Sequence, residues 1–148
     1  MARRPEPVRK SVKDTLEDLL SGHKEAAFSG PESALKYLRR VFEGQVNLPN
    51  AVKAVAYDLM ADAQAQTSAW EGCTASVAMV LKHLPDLEAE FPHGYRAHLE
   101  ALTCFERGIQ AHSELGQFHE ALELAERAVA LELGAHYQAK ADSLDWAR

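Results

Sequence analysis

LGQFHEALELAERAVALELGAHY, residues 115–137, decides how this chain is read. Phe118 is followed by three small residues, Ala121, Ala125 and Ala128, with Leu122 and Val129 beside them. Steps of three and four residues put these side chains on one face of an α-helix. Gly116 before it and Gly134 after it are natural places for such a helix to turn and to break. Small residues on a packing face let a second helix come close. The stretch therefore predicts tight helix–helix packing rather than a reactive site.

Outward from this segment, nearly every other segment has the same period, and the alternating, β-branched runs of strands are missing. A short first helix is expected from about Val12 to Lys24, with Leu16, Leu19 and Leu20 on one side. Pro31 and Glu32 suit the first turn of a second, whose stripe is Ala34, Leu35, Leu38, Val41 and Phe42 and whose end is Gly44. A third carries Val52, Val55, Ala56, Leu59 and Met60. A fourth restarts at Ser68 with Trp70, Cys73, Val77, Val80, Leu81 and Leu84 inward, and Pro85 is expected to end it. A fifth runs from about Tyr95 to Leu115, the sixth is the opening stretch, and a seventh, about Ala135 to Ala147, carries Tyr137, Ala141 and Leu144. The expected fold is all-α, about seven antiparallel helices joined by short loops, in one domain over residues 12–148. Residues 1–11, rich in Arg, Lys and Pro, are expected to form a flexible basic arm.

Totals exclude several classes. The 148 residues suffice for a buried core without disulfide or metal. A net charge of −6 argues against nucleic-acid binding by the body of the chain. Cys73 and Cys104 form no CxxC and fall within apolar helical patterns, so both are expected as buried free thiols of a reducing compartment. No apolar run is long enough to span a membrane, and the basic N-terminus lacks the apolar stretch of a secretory signal. The cytoplasm is the default expectation.

Chemical motifs are scarce. The seven histidines yield one Glu-x-x-His, Glu90–His93, interrupted by Pro92, and no His-Glu-x-x-His. His112 and His119 flank the Gly116 turn, with Glu114 and Glu120 near them, a pattern that reads first as solvated surface. No phosphate-binding glycine loop or nucleophile elbow occurs, so neither a catalytic residue, a metal nor a cofactor is assigned. Trp70 falls in an apolar stripe and reads as core. Trp146 is left open between core and an anchor for a partner or second subunit.

The helices also repeat as pairs. Tyr57, Met60, Ala61, Trp70, Cys73, Val77, Val80 and Pro85 are echoed by Phe105, Phe118, Ala121, Ala125, Ala128 and Leu133. This pattern resembles the tetratricopeptide (TPR) repeat, a helix–turn–helix unit of about 34 residues. Window 54–87 carries most of the resemblance and 102–135 carries it in its second helix. The matched small residues Ala34, Cys73 and Ala121 stand 39 and 48 residues apart, so the turns between repeats are longer than in a regular array. The resemblance implies stacked helix pairs with the seventh helix as a cap, and a non-catalytic scaffold for protein–protein interaction. It implies a concave groove lined by the first helix of each pair, which here projects His23, Asp58, Asp62, Glu106, Gln110 and Ser113. Acidic residues replace the Lys, Asn and Arg with which some members of the family clamp a terminal carboxylate. A basic or amphipathic segment of another protein is the expected partner, and a homodimer is a further expectation. Two other readings stay open. One is a regulatory or DNA-associated module that uses Arg3, Arg4, Arg9, Lys10 and Lys13. The other is a small helical enzyme or metal-binding bundle.

Overall fold

A computed structural model describes residues 10–44 and 47–147. It contains helices α1 (Val12–Ala27), α2 (Pro31–Gly44), α3 (Asn50–Gln66), α4 (Trp70–Glu90), α5 (Tyr95–Ala101), α6 (Cys104–Glu114), α7 (Phe118–Ala130) and α8 (His136–Ala147). The all-α class expected from the sequence is what the structure shows. The long fifth helix of the sequence reading is two helices, α5 and α6, parted at Leu102, whose backbone is extended. Most of the basic arm, residues 1–9, lies outside the described residues. Its last two positions belong to the fold. The Ser11 hydroxyl caps α1 by accepting the Asp14 N–H at 3.1 Å, and Lys10 pairs with Asp18.

Pro85 does not end α4. The helix continues through it to Glu90. Proline removes one backbone donor and crowds the preceding turn. Here Leu84 and Leu87, both buried, hold the turns on either side against the core, so packing overrides the local preference.

Each helix packs on the next, with α3 and α4 the most extensive pair and α6 taking the place of α5 beside α4. The first helices α1, α3 and α6 also pack side by side, whereas α2, α4 and α7 do not pack closely on one another. Ala121, Ala125 and Ala128 are fully enclosed, as are Cys73, Val77 and Val80 at the matching positions of α4, save a trace at Val77. Gly108 on α6 supplies the close approach. A Cβ there would meet Leu124 Cδ1 at 2.6 Å and Val77 Cγ1 at 3.0 Å, so a side chain at that position would have to displace Leu124 where α6 meets α4 and α7.

The turns after α3, α6 and α7 share one geometry. Ser68, Gly116 and Glu132 have φ of 58°, 72° and 55°. The N–H that follows each reaches back to a carbonyl, Ala69 to Gln64 at 2.8 Å, Gln117 to His112 at 2.7 Å and Leu133 to Ala128 at 3.1 Å. This is the left-handed cap that closes a helix and reverses the chain.

The residues between α4 and α6 form the short helix α5. Arg96 on α5 donates through Nη1 to the Leu131 carbonyl at 2.5 Å and through Nη2 to the Glu132 carbonyl. A cation thus satisfies the exposed carbonyls at the negative end of α7, and ties α5 to it.

Candidate functional site

The projected groove residues come from α1, α3 and α6, which pack side by side. The structure divides them. Asp58 is not a groove residue. It is 3% exposed, and its carboxylate accepts the Thr103 N–H at 3.0 and 3.1 Å from its two oxygens, with the Thr103 hydroxyl at 3.4 Å. Its place on α3 puts it beneath the first turn of α6, whose unpaired N–H groups attract a carboxylate. Burial pushes its pKa up to about 6, with the Thr103 and Cys104 N–H groups pulling the other way. The acid is spent on joining two helices.

Asp62, one turn on, is half-exposed and paired. Arg107 Nε donates to Asp62 Oδ1 at 2.8 Å, Gln66 Nε2 donates to Asp62 Oδ2 at 2.9 Å, and Arg107 Nη1 donates to Gln110 Oε1 at 3.1 Å. Gln110 is exposed. His23 of α1 is half-buried near Asp62. Burial lowers its pKa, and the Asp62 charge opposes that shift. Asp62 and Gln110 therefore share one polar strip through Arg107, and His23 feels the Asp62 charge without a hydrogen bond to it. Ser113, further along α6, turns its hydroxyl onto the Ile109 carbonyl of its own helix at 2.7 Å. Glu106 stands apart, facing His136 of α8 at 3.3 Å.

Arg107 and Gln66 complete the strip and were not among the residues projected from sequence. Arg107 sits beside Gly108 on the exposed flank of α6, and only the register of α6 against α3 brings it to Asp62. The strip is consequently close to neutral where an acidic groove was expected, because Asp58 is withdrawn and Asp62 is neutralised.

Elsewhere, both cysteines are enclosed. Burial pushes the Cys73 thiol up to about 11 and Cys104 well above its usual value. His112 Nδ1 lies 2.7 Å from Gln117 Oε1 and His119 pairs with Glu123 at 3.0 Å, so the two histidines have separate partners. Among the described residues no three His, Cys, Asp or Glu side chains gather to hold a metal. Trp70 is partly buried against the core, and Trp146 is 91% exposed. No described helix is long and apolar enough to cross a membrane. Comparison with protein-family models, with curated proteins and with solved structures gives no match.

Proposed function

We propose that this chain is a non-catalytic protein-interaction scaffold, TPR-like in plan, that holds a peptide or helix of a partner along the inner face of α1, α3 and α6. The observation that carries the reading is the hydrogen-bonded strip Gln66–Asp62–Arg107–Gln110 across α3 and α6, with α1 packed beside α3. The shared left-handed turns after α3 and α6 and the enclosed small residues of α4 and α7 support the repeat reading. The glutamine amides and the paired Asp62 and Arg107 suit an extended or amphipathic segment that hydrogen-bonds to the strip. They suit a strongly basic segment less than the sequence alone suggested. A surface of exchangeable polar groups on rigid helices gives specificity through complementarity rather than through a reactive centre.

A photo-crosslinking residue placed at Gln110 tests this in the native cell. A discrete adduct with one partner is expected at Gln110 and not at Lys82, which is exposed on α4. Purified partner should then bind the wild type and bind the Gln110→Arg variant at least tenfold more weakly. Equal binding would place the contact elsewhere.

A further inference from the structure

The α8 end of the helical array is acidic, and the α1–α2 end carries a groove with two cations. At one end, α8 turns Tyr137, Ala141 and Leu144 inward onto the array. Trp146 stands about two and a half turns beyond Tyr137, on the opposite side of the helix. Ala139 and Ser143 share that outer side at helical spacing, and both are exposed. A small, small, aromatic stripe is the combination this chain uses to pack helices internally, here with no described residue over it. Asp142 lies beside the stripe, and with Glu126 and Asp145 it lines a groove between α7 and α8. This end is acidic.

At the other end, a groove of about 410 Å³ opens between α1 and α2. Its lining includes Gly22, Ala26 and Ser33, with Tyr37 along it and Lys36 and Arg40 above. Buried Ala34, Leu35 and Leu38 lie on another side of α2, so the groove faces away from the core contacts of that helix. Gly22 has no side chain because the Tyr37 hydroxyl takes its place, reaching the Leu19 carbonyl at 3.4 Å. The result is a small-residue trough with an aromatic wall and two cations. Glu25 also lines it, and Lys140 of α8 is the cation available to face it.

We propose that these ends bind one another between copies: the α8 face of one molecule, led by Trp146, docks into the α1–α2 groove of the next, with Lys36 and Arg40 against Asp142 and Glu126. Two acidic α8 ends would repel, whereas Lys36 and Arg40 attract Asp142 and Glu126, so charge favours the head-to-tail pairing over α8 against α8. Arg40 or Lys36 over the indole adds a cation–π contact. A head-to-tail interface of this kind leaves a free end on every assembly, so it extends with concentration instead of stopping at a closed dimer.

Sedimentation velocity across a concentration series tests it. The weight-average mass of the wild type should rise above the monomer toward millimolar concentration and fall back in high salt. Trp146→Ala and Lys36→Glu/Arg40→Glu should each stay monomeric, with unchanged helical circular dichroism. Should Trp146→Ala lose its fold, Trp146→Gln takes its place. Mixed, the two variants retain one intact α8 face and one intact α1–α2 groove, and should form a 1:1 dimer and nothing larger. A monomeric wild type at every concentration, either variant assembling as the wild type does, or a mixture that stays monomeric would each overturn the proposal.

Discussion

The Asp58 carboxylate of α3 holds the first turn of α6, with the Thr103 N–H at 3.0 and 3.1 Å from its oxygens. Its pKa is pushed up to about 6 from 3.8 by burial. The folded chain thus binds this proton more tightly than the unfolded chain does. The stability that Asp58 contributes through its proton is full below about pH 4 and is lost as pH rises through about 6, a change of about 3 kcal/mol. Asp58→Asn removes the titration and keeps an acceptor for Thr103. Urea unfolding of both chains from pH 4 to 7.5 should show wild type losing stability relative to Asp58→Asn as pH rises, because the other carboxylates cancel in the difference. A difference that does not change with pH would show that the N–H groups of Thr103 and Cys104 fully offset the burial of Asp58.

Gly108 sets how closely α6 sits between α4 and α7. Gly108→Val would drive its side chain into Leu124 and Val77, and overpacking of this kind costs about 1–3 kcal/mol. Gly108→Ala is the sharper probe. Its gain in helix propensity partly offsets the clash, and Leu124→Ala should make room for the new methyl. The double variant is expected to be less destabilised than the sum of the two single changes, as read from urea midpoints. Strict additivity would mean that the two side chains do not meet.

Helix existence, the inward stripes and the turn at Gly116 were legible because each depends on local period and on one residue's backbone freedom. The same local reading put Pro85 at the end of α4, where the burial of Leu84 and Leu87 carries the helix through. It also ran α5 and α6 together, because the break at Leu102 has no glycine or proline to mark it. The groove was legible only as a register. Helical spacing put Asp58 and Asp62 on α3 as a pair, but only tertiary packing decides that Asp58 lies under the α6 N-terminus and Asp62 against Arg107. Charge alone could not distinguish a carboxylate that binds a partner from one that caps a distant helix.

The left-handed turns offer a paired test. Ser68 adopts φ 58° with a side chain present, whereas Gly116 adopts φ 72° without one. A Cβ in this region costs about 1–2 kcal/mol, while glycine adds freedom to the unfolded chain. Ser68→Gly should therefore raise stability by about 0.5–1 kcal/mol, and Gly116→Ala should lower it by about 1 kcal/mol. Thermal unfolding followed by circular dichroism reads both. Changes of the same sign at the two sites would contradict the shared turn.

Cys73 and Cys104 separate a packing role from a reactive one. Both are fully enclosed. The Cys73 Sγ lies 3.7 Å from the Arg107 carbonyl of α6, and burial raises both thiols, Cys73 to about 11. Only the thiolate attacks a disulfide reagent, so at pH 8 the folded chain offers almost none and shields what little there is. A disulfide colour reagent should detect no fast-reacting thiol in the folded protein and both thiols in urea. The reaction rate of the folded chain should fall in step with any substitution that stabilises it, Ser68→Gly included, because reaction then requires opening. A thiol that reacts rapidly in the folded chain, at a rate indifferent to stability, would return that cysteine to the list of candidate nucleophiles.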